Sequence, residues 1–299
     1  MIVAEPTNID ERLEALAGKC LVVKVGGEVM LNVKGLDAIA SQVAILFRHG
    51  VQVVVVHGGG PQADTLAQRL DHSVRKVDGR RITDDDALEV AKMVYGGSIN
   101  LELVAALKRH GARAVGLSGA DADLVTVTRR PPTLIRQPDL GTEEWVDFGH
   151  VGDVTSVDAS LLYLLLSAGT IPVVACLAAD REGRLYNVNA DTIAQTLAVA
   201  IEAERLVLLT NVPGILTDAT DPLSIISACD MGELAALINS GAILGGMLPK
   251  AQNCISALEQ GVRAVQILNG AQDHPPLIES LTQGGVGTIV TKTRFSTEY

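Results

Sequence analysis

Short, unbroken apolar runs alternate along the chain with stretches whose apolar positions recur at three- and four-residue spacing. The runs at 20–25, 51–56 and 171–176 are rich in aliphatic residues, which is typical of strands buried on both faces of a parallel sheet. The helical spacing predicts helices over 33–49 and 190–203, among others. Strands that alternate with helices favour an α/β fold, an αβα sandwich whose central sheet is mainly parallel.

Two regions depart from this alternation. Residues 125–157 are irregular, with two adjacent prolines and several glycines, and we expect surface hairpins there. Residues 74–82 are charged and contain an Asp-Gly turn signal, which predicts a further β-hairpin. The first part of the chain predicts a short amphipathic helix over 8–17, and the acidic residues after Thr83 predict a helix start whose helix runs to about 109.

The composition indicates a large packed protein. The chain has 299 residues, of which 47% are hydrophobic and 20% are charged, so a sizeable core can form and bulk disorder is excluded. Its formal net charge is −11, which argues against a nucleic-acid-binding surface. Any anion site must therefore be local, made by a few cationic side chains and helix N-termini.

The sequence also bears on where the protein acts. No apolar stretch approaches the roughly 20 residues needed to span a membrane. Residues 1–6 have neither the basic region nor the apolar core of a signal peptide. The four cysteines are scattered without a Cys-x-x-Cys pair, which favours buried free thiols over a zinc site. These features predict a cytoplasmic protein.

The apolar run at 51–56 leads directly into His-Gly-Gly-Gly-Pro at 57–61. Glycines let the backbone turn sharply and bring its N–H groups against a ligand. Pro61 fits the first turn of a helix, where its missing N–H costs nothing. A strand, a glycine turn and a helix N-terminus together make an anion site. Taken alone, such a turn can equally be structural, and it is neither the dinucleotide fingerprint nor a Walker loop.

Two lysines lie at similar junctions. Lys24 ends an apolar strand just before Gly26 and Gly27, where open parallel sheets bind ligands. A buried ammonium needs an anionic partner, although a lysine at a strand end can also extend into solvent. Lys250 follows a second glycine pair, in the first turn of a predicted helix, where a cation is unfavourable unless an anion sits in front of it. An exposed Lys250 is the alternative.

Residues 187–191 read Asn-Val-Asn-Ala-Asp before a predicted helix. Asn189 is placed to cap that helix, and Asp191 falls in its first turn, where the helix dipole favours a carboxylate. Asn187 is better placed to contact a polar ligand. Two lysines and two glycine turns at strand–helix junctions suggest a phosphoryl group held from both sides, because phosphoryl transfer needs mainly positioning and charge neutralisation.

Five motifs, in this order, resemble the amino acid kinase family, and within it the kinases that act on N-acetyl-L-glutamate. They are Lys-x-Gly-Gly at 24–27, His-Gly-Gly-Gly-Pro at 57–61, Gly-x-Arg-Ile-Thr-Asp at 79–84, Asn-x-Asn-Ala-Asp at 187–191 and Gly-Gly-Met-x-Pro-Lys at 245–250. The loop at 210–215 is similar to the family's nucleotide-side loop, which usually reads Thr-Asp where this chain has Thr-Asn. The resemblance runs from about residue 18 to 291.

The resemblance implies that MgATP donates its γ-phosphoryl group to the side-chain carboxylate of N-acetyl-L-glutamate, giving an acyl phosphate for arginine biosynthesis. MgATP is then a co-substrate, the magnesium is carried by ATP, and no tightly bound cofactor is expected. The acceptor carboxylate is already ionised at pH 7, so no general base is assigned. The expected parts are an N-terminal extension over 1–18, an acceptor-binding N-terminal lobe over 19–177 and a nucleotide-binding C-terminal lobe over 178–299.

The resemblance also assigns roles to individual residues. Lys24 and Lys250 would neutralise the transferring phosphoryl group from opposite sides, and Asp191 would orient both ammonium groups. Arg81 would clamp the α-carboxylate of the acceptor and point inward, whereas its neighbour Arg80 would point outward. The remaining contacts are Gly58, Gly59 and Asn187 for the acceptor, and Gly26, Gly27, Thr210, Asn211, Gly214, Gly245 and Gly246 for phosphate or nucleotide, with the backbone N–H groups of Gly26, Gly27, Gly58 and Gly59 as the cradle. His57 is expected to be a structural residue of the turn.

The chain departs from the family pattern at a few positions. Ala120 stands where relatives often have lysine, and His150 stands where they usually have phenylalanine; we expect His150 to be a surface hairpin residue. The segment before residue 18 resembles a shortened form of the helix that links dimers into hexamers in arginine-inhibited relatives. A homodimer is the default expectation, and a hexamer and arginine inhibition are left open.

Three other functions remain compatible with these motifs. A kinase for N-acetyl-L-2-aminoadipate in lysine synthesis would differ by one methylene in its acceptor, which changes binding by only about 1–3 kcal/mol. Carbamate kinase is a more distant alternative. A non-catalytic regulator that binds nucleotide or amino acid would have no need of Lys24, Asp191 and Lys250, so their presence argues against it.

Overall fold

The central strands form where the sequence carries its unbroken aliphatic runs. The strand predicted at 20–25 has those bounds in the structure, and the strands predicted at 51–56 and 171–176 agree to within one residue. The helices predicted over 33–49 and 190–203 agree to within three residues. The computed structural model describes residues 9–31, 33–77, 79–137, 142–218, 221, 224–243, 247–271, 276–282 and 286–293.

Ten α-helices lie within these described residues. They are α1 Ile9–Glu14, α2 Val33–Arg48, α3 Gly60–Arg69, α4 Asp85–Ala91, α5 Asn100–Arg109, α6 Ser160–Ser167, α7 Ala190–Ala200, α8 Met231–Asn239, α9 Met247–Glu259 and α10 Leu277–Thr282. A π-helical segment, Lys92–Ile99, joins α4 to α5, and short 3₁₀ turns occupy Val29–Leu31 and Asp121–Asp123.

Sixteen strands complete the described secondary structure. They are β1 Cys20–Val25, β2 Gln52–His57, β3 Lys76–Val77, β4 Arg80–Arg81, β5 Ala114–Ser118, β6 Val125–Arg129, β7 Thr133–Gln137, β8 Thr142–Val146, β9 Gly152–Val157, β10 Ile171–Ala175, β11 Leu177–Ala179, β12 Leu185–Asn187, β13 Arg205–Thr210, β14 Ala228–Asp230, β15 Ala264–Asn269 and β16 Thr288–Thr291.

The main sheet has eight strands in the order β14-β16-β15-β13-β1-β2-β10-β5. Neighbours from β15 to β5 pair in parallel, while β15 and β16 pair antiparallel. The central strands β1, β2, β10 and β13 are almost wholly buried, because α2 and α5 pack on the sheet together and α6 and α7 pack on it as well. The predicted αβα sandwich with a mainly parallel sheet is therefore confirmed.

The hairpins predicted outside the main sheet are also present. β3 and β4 form the hairpin predicted at 74–82, although Asp78 at its turn lies outside the described residues. β7 pairs with β8, and β6 joins β9, β11 and β12 in a four-stranded sheet. A small second core of Ile135, Val146, Phe148 and Val151 lies under the β7–β8 hairpin.

One helical run bears on the membrane expectation. Residues 85–109, which comprise α4, the π segment and α5, are long and apolar enough to cross a membrane by length and composition. The expectation that no such stretch exists is wrong in that respect. Half of its most apolar stretch is buried inside the fold, where α5 packs against α2, β5 and β10.

A short turn after β5 stores backbone strain. Ala122 has φ 50° and ψ 39°, in the left-handed region that disfavours residues with a Cβ. We expect Ala122→Gly to raise the free energy of unfolding by about 0.5–1 kcal/mol, because glycine removes the steric cost but adds chain entropy. Ala120, with φ −78°, is the matched control, and Ala120→Gly should destabilise by about 0.5 kcal/mol. Urea unfolding measures the free energy of unfolding of both variants. An equal loss of stability in the two would contradict backbone strain at Ala122.

Candidate active site

Lys24 and Asp191 form a buried ion pair at the carboxyl end of the sheet. Lys24 lies on β1 with only 8% of its surface exposed, between Val56 of β2 and Leu208 of β13. Its Nζ is 2.8 Å from Oδ1 of Asp191, in the first turn of α7. The helix begins there because the side chain of Asn189 accepts from the backbone N–H of Asp191 and of Thr192, as the capping hypothesis predicts.

A second lysine reaches the same carboxylate. Lys250 is in the first turn of α9, and its Nζ is 3.9 Å from Oδ2 of Asp191. Each oxygen of Asp191 thus faces a different ammonium group. Burial acts to raise the pKa of this carboxyl, but the charges of Lys24 and Lys250 outweigh it and hold the pKa below its usual range. The cluster carries one net positive charge, which suits an anionic ligand.

The glycine turn at 26–27 (the first glycine turn) packs directly against the glycine turn at 58–60 (the second glycine turn). A Cβ on Gly27 would lie 2.7 Å from Cδ of Pro61 and 3.0 Å from the backbone N of Gly60, so only glycine fits there. The amide of Gln62 donates to the carbonyl of Gly27 at 2.8 Å and fastens one turn to the other. A Cβ on Gly59 would lie 2.7 Å from the ring of Tyr95, so the ring packs against the second glycine turn and leaves no room for a side chain there.

The expected backbone cradle needs a correction. The N–H of Gly26 donates to the carbonyl of Leu209, and the N–H of Gly58 donates to that of Val25, each at 3.1 Å. The expectation that these two N–H groups face a ligand is wrong, because they extend the sheet ladder past the strand ends. The backbone N–H groups of Gly27 and Gly59 remain the predicted donors to a bound phosphate or substrate.

His57 is a buried support of the second turn. Its Nε2 is 3.1 Å from Nδ2 of Asn100, and the same Nδ2 lies 2.9 Å from the carbonyl oxygen of Val173. Since that amide nitrogen must donate, His57 Nε2 accepts and Nδ1 carries the proton, which it donates to the carbonyl of Gly58 at 2.9 Å. Burial lowers the pKa of His57 to about 4, so the ring is neutral at pH 7. The structural role expected for His57 agrees with this geometry.

Arg81 points inward and Arg80 is exposed, as expected from the sequence. The side chain of Arg81 is 9% exposed, and its Nη2 donates to the carbonyl of Gly60 at 3.1 Å and to Oδ1 of Asp64 at 2.5 Å. It therefore lies against the first turn of α3, beside the second glycine turn. The side chain of Asn187 ends β12 and donates to the hydroxyl of Thr83 at 3.2 Å.

Three of the residues proposed for the nucleotide, Thr210, Asn211 and Gly214, lie at the end of β13 or in the loop just after it. The hydroxyl of Thr210 accepts from the N–H of Val212 at 3.0 Å, and Asn211 is exposed. Gly214 packs tightly against Thr288, whose hydroxyl would be 2.6 Å from a Cβ at that position. Gly245 and Gly246 lie outside the described residues. Lys24, Asp191 and Lys250 are thus brought together, while the nucleotide contacts stay predictions.

The positions that depart from the family pattern lie outside this cluster. His150 is partly exposed, and its Nε2 is 2.6 Å from Oδ1 of Asp85 at the start of α4. Ala120 donates its N–H to the hydroxyl of Ser118 at 3.3 Å. Within the described part of the chain, neither residue is hydrogen-bonded to the Lys24–Asp191 pair, which fits the expectation that His150 is a surface residue.

The cysteines and acidic groups bear on whether the site could hold a metal ion. All four cysteines, which are all described, are free thiols, and burial raises the pKa of Cys176, just after β10, to about 12. Among the described residues, no group of three or more histidine, cysteine or acidic side chains could hold a metal ion. The chemistry that the described site offers is electrostatic: two ammonium groups, one carboxylate and two glycine turns.

The chain belongs to the amino acid kinase family. The sequence model of the Amino acid kinase family matches residues 19–269, which is most of the chain. The family resemblance read from the five motifs is therefore confirmed.

Several known proteins are similar to this chain. It is 38% identical over 274 residues to an acetylglutamate kinase of Methanothermobacter thermautotrophicus, covering 92% of this chain and 94% of that protein. It is 44% identical over 270 residues to an acetylglutamate kinase of Sorangium cellulosum, covering 90% and 94%. A solved structure of N-acetylglutamate synthase from Neisseria gonorrhoeae, complexed with coenzyme A and N-acetyl-glutamate, superposes with a TM-score of 0.79 at 26% identity. The match covers 96% of this chain and 62% of the synthase chain.

Proposed function

We propose that this protein is an acetylglutamate kinase, which transfers the γ-phosphoryl group of ATP to the γ-carboxylate of N-acetyl-L-glutamate and forms N-acetyl-L-glutamyl 5-phosphate in arginine biosynthesis. The observation that carries the proposal is the carboxylate of Asp191 held between the ammonium groups of Lys24 and Lys250. Relatives about 40% identical over some nine-tenths of the chain carry that name.

In the proposed reaction, a carboxylate oxygen of the acceptor attacks the γ-phosphorus. The bond to the β,γ-bridging oxygen breaks, and ADP leaves with that electron pair. Lys24 and Lys250 neutralise the charge on the phosphoryl oxygens, and Asp191 keeps both ammonium groups in place. The acceptor is already a carboxylate at pH 7, so the reaction needs no general base.

The wider arrangement is part of the same proposal. The N-terminal lobe would hold the acceptor, the C-terminal lobe would hold MgATP as co-substrate, and the protein would act in the cytoplasm as a homodimer. Support for the homodimer comes from β5, the last strand of the main sheet, and from the neighbouring helical run, where Met93 is 48% exposed and Leu101 is 67% exposed. Arginine inhibition and a hexamer are left open; Leu13 of α1 is buried within the chain's own core.

The first test is a hydroxamate assay, since hydroxylamine traps an acyl phosphate. The purified protein is mixed with MgATP, hydroxylamine and either N-acetyl-L-glutamate or N-acetyl-L-2-aminoadipate. We expect strong signal with N-acetyl-L-glutamate. Signal with the longer acid alone would move the protein to lysine synthesis, and no signal with either would favour the non-catalytic regulator.

Arg81→Ala should separate acceptor binding from ATP binding. Loss of the guanidinium removes a charge-assisted contact to the acceptor's α-carboxylate, so its KM should rise about tenfold or more. The KM for ATP should change less than twofold. Arg80→Ala, which removes the exposed neighbour, is the matched control and should change neither constant. Equal rises in both constants for Arg81→Ala would contradict the assignment.

A further inference from the structure

The contacts of Arg81 single out Asp64, a residue that the sequence motifs do not include. Asp64 lies one turn into α3, so it sits directly behind the second glycine turn. Its Oδ1 accepts from Nη2 of Arg81 at 2.5 Å, and its Oδ2 is 2.8 Å from Nζ of Lys76. Lys76 and Arg81 are direct partners across the β3–β4 hairpin. The carboxylate of Asp64 therefore connects both strands of the β3–β4 hairpin, each two residues long, to α3.

The same contacts limit how Arg81 can receive a carboxylate. Nη2 carries two hydrogens, and the structure directs them to Gly60 O and to Asp64 Oδ1. Both bidentate edges of a guanidinium use Nη2, since one pairs it with Nε and the other with Nη1. While Asp64 holds Arg81 in this way, an acceptor carboxylate meets Nε or Nη1 through a single hydrogen bond. The geometry therefore fixes the rotation of the guanidinium and the side it presents to the ligand.

Charge supports the same conclusion. Lys76 and Arg81 bring two positive charges to the hairpin, and Asp64 neutralises one of them. One positive charge is left for an anionic ligand. The Asp64 side chain is only 25% exposed and that of Arg81 is 9% exposed, so the pair is shielded from solvent far more than an ordinary surface ion pair.

We infer that Asp64 is a positioning residue for acceptor binding: it holds Arg81 against α3 and couples the β3–β4 hairpin to the glycine turn. This inference rests on the proposed function, since it concerns the α-carboxylate of N-acetyl-L-glutamate. Asp64 acts through Arg81 and does not touch the reacting atoms. Removal of the Asp64 carboxylate lets the guanidinium of Arg81 rotate away from the acceptor. It leaves kcat unchanged, because kcat depends on the Lys24–Asp191–Lys250 cluster.

The test is a double-mutant cycle with the hydroxamate assay. Asp64→Ala should raise the KM for N-acetyl-L-glutamate about tenfold, the effect of one lost charge-assisted contact, with kcat and the KM for ATP within twofold of wild type. In an Arg81→Ala background, Asp64→Ala should raise the KM no further, because its effect passes through Arg81. A purely structural role would persist in that background and would overturn the inference, as would an unchanged KM.

Controls separate this inference from the function on which it rests. Asp37 holds Arg109 at 2.7 Å on a remote, more exposed part of the fold, so Asp37→Ala should leave every constant unchanged. Asp64→Asn keeps the side-chain shape and one acceptor oxygen, so its KM should lie between those of wild type and Asp64→Ala. If wild type makes no hydroxamate, the proposed function fails. If wild type is active and Asp64→Ala behaves like wild type, only the inference about Asp64 fails.

Discussion

Replacing Lys24 by alanine is expected to lower kcat by about two to three orders of magnitude. The transferring phosphoryl group is stabilised mainly by fixed positive charge, and Lys24 would supply that charge from a buried strand paired on both sides. Its Nζ is 2.8 Å from Oδ1 of Asp191 and its side chain is only 10% exposed, so the variant loses a fixed, nearly buried charge. Steady-state kinetics with saturating MgATP and acceptor measure the effect.

Stability must be separated from catalysis in this experiment. Lys24→Ala leaves the buried carboxylate of Asp191 with only Lys250, 3.9 Å away, and breaking a buried ion pair costs about 3–5 kcal/mol. The double variant Lys24→Ala/Asp191→Asn removes the uncompensated charge, so it should unfold at higher urea than Lys24→Ala while turnover stays low. If the double variant recovers turnover, Lys24 matters for folding only.

Lys19 supplies the matched control for Lys24. It directly precedes the same strand, at the opposite end, and pairs with Glu204 at 3.6 Å with 44% of its side chain exposed. Lys19→Ala should leave kcat within twofold and change stability by less than about 1 kcal/mol. A comparable loss of turnover in Lys19→Ala would mean that the general loss of positive charge, and not the position of Lys24, controls the reaction.

The sequence was sufficient for the central strands of the main sheet, because they carry dense aliphatic runs that a parallel sheet covered on both faces buries well, whereas the short edge strand β14 was not predicted. Lys24, Asp191 and Lys250 were also predictable, because Lys24 lies near the end of β1 before a glycine pair, Lys250 follows a second glycine pair, and the family resemblance assigns Asp191 to both lysines. The antiparallel pairing of β15 with β16 could not be predicted, because the sequence of a short strand does not indicate its direction in the sheet.

The supports of the site could not be read from the sequence. Asp64 and Arg81 are 17 residues apart, and His57 and Asn100 are 43 apart, so each contact depends on how separate helices and strands pack. An asparagine among the apolar positions of α5, between Ile99 and Leu103, was the one signal that could have indicated a buried polar role for Asn100. The use of the Gly26 and Gly58 N–H groups likewise depends on strand register, which the motif does not specify.

Lowering the pH from about 7 to 4 should cost the folded protein about 3 kcal/mol through His57 alone. The ring has a pKa of about 4 in the folded protein and about 6.5 in an unfolded chain. Between these values the unfolded chain binds the extra proton and the folded protein does not, so stability falls as the pH falls through this window. The physical cause is burial, because protonation would place a charge among β2, β10 and α5.

His57→Gln isolates this contribution. Glutamine keeps a donor and an acceptor but does not titrate, so the free energy of unfolding of the variant should fall less steeply between pH 6.5 and 4 than that of wild type, by about 3 kcal/mol over the whole window. Urea unfolding at several pH values gives both slopes, and taking their difference cancels the carboxylates common to the two proteins. His150→Gln removes a partly exposed imidazole and tests whether the loss of any histidine has this effect. Parallel curves for wild type and His57→Gln would mean that Asn100 accepts a charged ring, and the neutral tautomer assigned to His57 would then be wrong.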